Sequence, residues 1–414
     1  MNGHHAGAAT NWRPEWRSFW FLPLVAALGY SVSVLPIYAM GPFMAPLEQA
    51  FGWSRAQISF GATIFSIISA LTTLITGTVV DRVGPRRIAL LGVPLGTAAV
   101  ALLGAASGSI ANWMLLWVAV SICSVTTQAT VWTSAVVSRF EASRGVALAI
   151  TLSGGSFATA VLPVLATLLI QAFGWRGAFF GIGVIWVVVV YPLTLLLFRG
   201  AQDGGPRQRA QPISSASLPG LTLAEAMRRS AFYKLTLAGA LFAFCVVGVA
   251  VHFVPILVKA GSSPIAAAGA ASLIGIFAIG GRLCTGVVLD RFPAHFVGAV
   301  AFLIPVPGCA ILWTGGGGLG GEYLAAALFG LALGAEIDLV AFLASRLFGQ
   351  KNFGAILGAM LSLLGLGAGI GPLAAGATYD HFGGYAPFIL LAGVLMLVGA
   401  GLMGSLGRAP SQAA

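Results

Sequence analysis

The chain has 414 residues, of which 58% are hydrophobic and only 8% carry a charge. A soluble domain of ordinary composition carries about 25% charged residues, so water is excluded as the main solvent. The formal net charge of +10 does not point to nucleic acid, because the basic residues neither form one patch nor follow a nucleic-acid-binding motif.

A helix needs about 20 mostly apolar residues to cross a hydrocarbon core of about 30 Å. In chain order, such runs lie at 18–43, 56–80, 88–107, 111–136, 145–171 and 177–198, then at 231–257, 264–289, 294–314, 321–345, 354–379 and 385–405. The expected fold is therefore an all-α polytopic membrane protein with twelve transmembrane helices in two six-helix bundles. The polar segment ahead of the first run holds His4, His5, Arg13, Glu15 and Arg17 and leads to no small-residue cleavage site, so the first helix is read as uncleaved. The divisions are an N-terminal tail 1–17, a first bundle 18–198, a linker 199–230, a second bundle 231–405 and a tail 406–414.

Charge sets the expected orientation. With the N-terminus inside, Arg13, Arg17, Arg82, Arg86, Arg87, Arg139, Arg144, Arg199, Arg207, Arg209, Arg228, Arg229, Lys234, Arg291, Arg346, Lys351 and Arg408 all face the cytoplasm. Only Arg55, Arg176 and Lys259 then face outward, which satisfies the positive-inside rule with both termini cytoplasmic. Short loops and Ala/Gly-rich helices point to a bacterial inner (plasma) membrane. Cys123, Cys245, Cys284 and Cys309 all sit in apolar runs without the paired spacing of a disulfide framework or metal site, so they read as packing residues and no metal is expected.

The linker contains Gly204, Gly205, Pro206 and a Ser-rich run before an amphipathic LAEAMRRSAFYKL. A shift of about 209 positions places Gly77, Asp81 and Arg82 on Gly286, Asp290 and Arg291, Pro163 on Pro372, and Phe173-Gly174 on Phe382-Gly383. Six crossings per copy keep both copies in one orientation, as parallel repeats about an axis along the membrane normal with a central cavity between them.

The stretch Gly77-Thr-Val-Val-Asp81-Arg82-Val-Gly84-Pro85-Arg86-Arg87 resembles the signature loop between helices two and three of the major facilitator superfamily, where it latches the gate. Physically, Gly77 permits close helix approach, the acid caps a neighbouring helix and the arginines reach cytoplasmic carboxylates or lipid phosphates. The plainer reading is a basic loop that only sets topology. Gly286, Asp290, Arg291 and Arg346 are the corresponding gating or structural candidates in the second half.

Arg282, in Gly280-Gly281-Arg282-Leu-Cys-Thr-Gly286, lies about 12 Å along its helix from Asp290. An arginine at that depth costs at least about 2.5–3.5 kcal/mol, so it is expected on a polar cavity with a partner. Its planar fork suits a substrate carboxylate. Its repeat equivalent is Thr73, so the fold itself requires no cation there. This segment, FGWSRAQIS after the first helix, and Gly334-Ala335-Glu336-Ile337-Asp338-Leu339 with Ser345-Arg346-Leu347-Phe348-Gly349 near the tenth resemble the monocarboxylate transporter and oxalate:formate antiporter group across nearly the whole chain. That resemblance implies carriage of a small organic monocarboxylate, with the helix-eight arginine on the anion.

Departures limit the transfer. Animal monocarboxylate carriers have a lysine in the first helix, where Tyr38 is the nearest polar residue here; their acid one turn before the arginine is Ala278. The antiporter's lysine in helix eleven has no counterpart, which favours a monoanion. Glu336 and Asp338 are the acids left to balance Arg282 or to carry a proton, and a two-residue separation turns them about 200° apart, so at most one faces the cavity squarely. Permanent ion pairing, with Arg282 for one and Arg346 for the other, is the structural alternative.

His252 is a candidate substrate or proton site, or a hydrogen-bonded helix residue. Thr127 and Gln128, with Tyr30, Ser31, Ser33, Thr126, Thr130 and Thr133, are candidates for the polar cavity wall or for interhelical hydrogen bonds. The expected function is uptake of a small organic acid with a proton by alternating access, without cofactor, and driven by the proton gradient. Organic-anion exchange, efflux of an amphipathic compound and ligand sensing are the alternatives. No GxSxG, Walker A or HExxH motif is present, so neither enzymatic activity nor nucleotide-driven pumping is expected. Membrane lipids are the expected surroundings and the monomer the expected functional unit.

Overall fold

The computed structural model describes residues 13–201, 220–315 and 318–407. Arg207, Arg209 and Arg408, most of the linker, and the first twelve residues of the N-terminal tail lie outside the described residues. Among the described residues, eleven helical segments are long and apolar enough to cross a membrane. One of them, Arg144–Leu197, runs for 54 residues. At 1.5 Å per residue that is about 80 Å, far beyond a bilayer core of about 30 Å. It turns at Gly174, whose φ of 69° and ψ of 171° are not helical, so it makes two crossings and the total is twelve.

The crossings are α1 (Phe21–Phe51), α2 (Arg55–Val83), α3 (Pro85–Leu102), α4 (Ile110–Ser124 continued by Ala129–Val137), α5 (144–173) and α6 (175–197). The second set is α7 (Ser230–Lys259), α8 (Pro264–Leu289), α9 (Ala294–Leu303 continued by Pro305–Trp313), α10 (Gly318–Phe348), α11 (Phe353–Phe382) and α12 (Ala386–Gly404). The first helix runs eight residues past its expected end at 43, because Pro42 and Pro46 bend it without stopping it and Gly52, at φ 67°, ends it in a left-handed turn. Ser54 then starts α2 with a capping box: its hydroxyl accepts from the Gln57 N–H while the Gln57 side chain accepts from the Ser54 N–H. At the other end of α2, Gly84 at φ 93° makes the turn that lets Pro85 open α3.

Apolar packing separates into two clusters. One is built on helices of the first six, from Leu22 to Phe198, joined by Val247 and Val251 of α7; the other runs from Ala226 to Met403. Between them, α2 packs along α11 and α5 along α8. A Cβ on Gly369 would meet Ser66 at 2.5 Å, and one on Gly275 would meet the Ala160 nitrogen at 2.2 Å. Gly275 follows Ser66 by about the same 209 positions that separate Gly369 from Ala160, so the sequence repeat reappears as two matched seams.

The seams close only one end of the bundle. The hydrogen bonds that join the halves cluster where α2 begins and α11 ends: the Arg55 and Ala56 N–H groups to Asp380, Arg55 to Tyr385, and the Thr63 hydroxyl to the Gly369 carbonyl. At the end carrying the Gly84 and Arg291 loops, a Cβ added at Gly77, Gly286, Gly354 or Gly358 meets nothing within 4 Å. Gly77 and Gly286 therefore make no close helix contact in this state, contrary to the expectation from their motif. The molecule is shut at the end with few basic residues and open at the basic end.

Short elements brace the basic end. The helix Arg13–Phe19 lays Trp16 against Phe140 and places the Glu15 carboxylate over the N–H groups of Glu141, Ala142 and Ser143 at 2.9–3.2 Å. Those donors, Ala142 foremost, hold the Glu15 carboxyl down at about 2. After the undescribed part of the linker, Leu221 bonds back to the Phe348 carbonyl, and Thr222 and Glu225 form a capping box on Leu223–Met227.

Candidate functional site

Small residues set the site. Gly281 of α8 sits against the Leu331 carbonyl, and Gly334 of α10 against the Ala278 carbonyl, where an added Cβ would come within 2.2 and 2.0 Å. With the helices this close, Arg282, next to Gly281, and Asp338, one turn on from Gly334, are brought together across the seam. Arg282 Nη1 donates to Asp338 Oδ1 at 3.1 Å. Position 278 is an alanine, and the acids beside Arg282 come from α10 instead.

Between the halves lies a central cavity of about 330 Å³. Tyr30 and Tyr38 of α1 line it with Ser156 and Thr159 of α5, Arg282 of α8 and Glu336 of α10, and Val34, Val247 and Leu364 complete an apolar wall. Arg282 is 9% exposed and Glu336 6%. Arg282 Nε and Glu336 Oε1 have no hydrogen-bond partner within the protein. Two buried polar atoms with unused capacity on one cavity wall are what a polar ligand group needs.

The candidates from sequence do not all meet on this wall. Arg282, Tyr38 and Glu336 meet on the cavity wall. Asp338 stands outside it, paired to Arg282 and about one-third exposed, as the turn between the two acids requires. Arg346 does not take the second acid; its guanidinium lies 5.3 Å from the Phe342 ring centroid. It joins Asp290, Arg291 and His295 around a separate cavity of about 350 Å³ at the basic end.

Thr127 and Gln128 are not on the cavity. The helix α4 breaks at Val125–Thr127 into a 3-10 turn, and Gln128 takes an extended conformation at φ −58°, ψ 157°. That break turns both residues into their own bundle, where Thr127 donates to the Ser124 carbonyl, and Gln128 donates to Thr72 of α2 at 3.3 Å. In the signature loop, Arg86 reaches no carboxylate. Its guanidinium donates to the Leu195 and Phe198 carbonyls at 2.7 Å each and so caps the end of α6. Asp81, Arg82 and Arg87 are exposed there, Gly84 makes the turn described above, and Asp290 closes the C-terminus of α8.

His252 is also absent from the cavity wall. It is fully buried in the closed end, with Nδ1 2.9 Å from the Tyr385 hydroxyl and Nε2 2.9 Å from the Pro372 carbonyl and 3.2 Å from Ser59 Oγ. Tyr385 accepts from Arg55 at 2.6 Å, Arg55 pairs with Glu48 at 3.2 Å, and its guanidinium lies 3.6 Å over the Tyr379 ring. The sequence reading overlooked Glu48, Ser59, Asp380 and Tyr385 in this network. Asp380 carried a signal, as one of only eleven acids in the chain and the one that ends α11.

Twelve crossings in two matched halves, a polar-lined cavity at their interface and one sealed end are the architecture of a membrane transporter. The family profile described as Major Facilitator Superfamily matches residues 26–335, and the chain belongs to that superfamily. It is 30% identical to human monocarboxylate transporter 11 over 285 residues, covering 65% of this chain and 58% of that protein, so the match spans less than two-thirds of the relative. It is 24% identical to the MFS-type transporter YhjX of Escherichia coli over 85% of this chain and 86% of that one. Among solved structures, a bacterial homologue of the human lysosomal transporter Spinster, inward-facing and unoccupied, superposes with a TM-score of 0.74 at 18% identity, over 94% of this chain and 97% of that one. A D-xylose-proton symporter gives 0.75 at 13% identity, over 95% and 98%.

Proposed function

We propose that the protein is a secondary active carrier of a small organic monocarboxylate, coupled to a proton, working by alternating access. One observation carries the reading: Arg282 and Glu336 share the wall of the central cavity, each with an unused polar atom, while Asp338 holds Arg282 from outside it. The likeness to a monocarboxylate transporter supports the substrate class. The distribution of arginines supports an orientation in an inner (plasma) membrane with both termini and the open end cytoplasmic, and the captured state is then inward-facing.

Charge balance gives the coupling. With all three groups ionised, Arg282, Asp338 and Glu336 sum to one negative charge, which repels an anion. A proton on Glu336 leaves the Arg282–Asp338 pair neutral and lets a carboxylate take the open Nε edge of the guanidinium in a charge-assisted bond. An ionised carboxylate buried without a partner carries a penalty of several kcal/mol, so the halves rock most readily with Glu336 protonated, and the cargo of one proton and one monoanion is neutral. Tyr30 and Tyr38 offer hydroxyls to the carboxylate, and Val34, Val247 and Leu364 receive its apolar part. Moving one proton with one monoanion does no work against the membrane potential, which is otherwise about 2.3 kcal/mol per charge per 100 mV.

Uptake of a panel of radiolabelled monocarboxylates into proteoliposomes tests this reading. Uptake requires an inward proton gradient and is lost in Arg282→Ala; robust uptake by that variant would remove the arginine from the site. The apolar walls also suit exchange or efflux of an amphipathic organic anion, and an agnestins efflux protein of Paecilomyces divaricatus is 24% identical over 87% of this chain. Counterflow into preloaded vesicles without a proton gradient separates that reading from symport.

A further inference from the structure

Beyond the closed gate lies a second cavity, of about 510 Å³. It is larger than the central one and separated from it by the contact of α1 with α7, where a Cβ on Gly41 would stand 2.8 Å from the Val251 carbonyl. Gln49, Arg55 and Gln171 line it from the first half, and Pro255, Val258 and Lys259 from the second. Among the described residues no acid is on its wall, while both a guanidinium and an ammonium are.

The two cations differ in what already occupies them. Arg55 is committed to Glu48 and Tyr385 and packs on Tyr379, so it contributes field but little free donor capacity. Lys259 is exposed, and its ammonium lies 5.9 Å from the Tyr379 ring centroid, with no ion pair among the described residues. A compact ammonium at the rim of a largely apolar pocket suits a molecule with one negative end and an apolar body.

We propose that this outer vestibule is a second binding site, for an amphipathic organic monocarboxylate, filled from outside while the carrier is open inward. The proposal rests on the orientation and anion preference of the proposed function. Its occupant touches both halves, and those walls part when the outer gate opens. The ligand thus binds the outer-closed state and opposes the return stroke. At ten times its dissociation constant, the population free to open falls about elevenfold. External substrate at high concentration then inhibits its own uptake.

Benzoate is the probe. In proteoliposomes under an inward proton gradient, wild-type uptake rises with external benzoate and then falls; Lys259→Gln abolishes the fall and Lys259→Arg retains it. Calorimetric titration of the purified protein gives two equivalents for wild type, one for Lys259→Gln and one for Arg282→Ala. A single wild-type equivalent that vanishes in Arg282→Ala and survives in Lys259→Gln overturns the vestibule site and leaves the central one standing. Loss of one equivalent in Lys259→Gln, with none lost in Arg282→Ala, supports the vestibule and overturns the central reading. Absence of binding by wild type overturns the vestibule proposal.

Discussion

Asp380 is the residue whose removal most directly tests how the closed end is held. Its two carboxylate oxygens accept the N–H groups of Arg55 and Ala56 at 2.9 and 2.8 Å, the first donors of α2, from the opposite half of the molecule. The capping box of Ser54 and Gln57 satisfies the Gln57 N–H and leaves those two for Asp380. When the outer gate opens, both must turn to water, so Asp380→Ala removes stabilisation from the closed state alone. A lost helix cap costs about 1 kcal/mol and the lost charge at the helix dipole about 0.5, and because Asp380 is exposed we take no more than their sum of about 1.5. That corresponds to about a tenfold shift toward the outward-open state.

Ala62 reports the shift, being only 4% exposed and packed against the α11 seam at Gly369. With Cys123, Cys245, Cys284 and Cys309 replaced by alanine, Ala62→Cys is labelled from outside by a membrane-impermeant maleimide only when the gate opens. Adding Asp380→Ala speeds labelling about tenfold if pre-equilibrium opening sets the rate. Asp380→Asn, which keeps an acceptor but not the charge, falls between. A labelling rate no faster than that of the Ala62→Cys parent refutes the capping lock.

Three further outcomes follow from the same geometry. Glu336→Gln fixes the neutral form at the proposed proton site, so benzoate exchange persists while the dependence of net uptake on the proton gradient disappears; a gradient response equal to wild type removes Glu336 from coupling. Gly334→Ala drives a methyl group into the Ala278 carbonyl at 2.0 Å, an overpacking that costs about 1–3 kcal/mol, and lowers the melting temperature in detergent. Gly280→Ala, with nothing within 4 Å of the added carbon, is the control that leaves melting unchanged. The Glu15 carboxyl falls from its ordinary 4.5 to about 2 in the fold, so its contribution is complete above 4.5 and disappears as pH drops through about 2. Melting curves taken across that acid window show a steeper decline for wild type than for Glu15→Gln, and parallel declines contradict the clamp.

Hydropathy made the twelve crossings legible because a bilayer tolerates so few alternatives: a run of apolar residues long enough to span it has one economical conformation. Arg282 was legible for a related reason, since a guanidinium at that depth needs a polar surface and a partner. The divergence of Glu336 and Asp338 was readable from helix geometry, but not which of them faces the cavity. That depends on the rotation of α10, fixed by the seating of Gly334 on the Ala278 carbonyl, a contact between segments far apart in the chain. Thr127 and Gln128 turned away because a 3-10 break interrupts α4, and no proline or glycine marks it. His252 stayed open between a substrate or proton site and a hydrogen-bonded helix residue because its partners, Ser59, Pro372 and Tyr385, come from three separate segments of the chain.

The two seams also explain why the cations are unevenly shared. Repeat symmetry matches the packing of Gly369 on Ser66 with that of Gly275 on Ala160, so both halves build the same closed end from small residues. The positions equivalent to Arg282, Glu336 and Asp338 in the first half are Thr73, Thr127 and Ala129, none of them ionisable. The packing between the halves is thus common to both, while the charged cavity groups come from the second half alone. Because Asp338 holds Arg282 from within that same half, rocking of the bundles as bodies leaves their pair intact. The contacts that such rocking would break are those from Arg55 and Ala56 to Asp380 and Tyr385, from Ser59 to His252 and from Thr63 to the Gly369 carbonyl. Under the proposed mechanism, substitutions at Arg282 or Glu336 act on the load, whereas those at Asp380 act on the position of the gate, and transport and labelling assays separate the two.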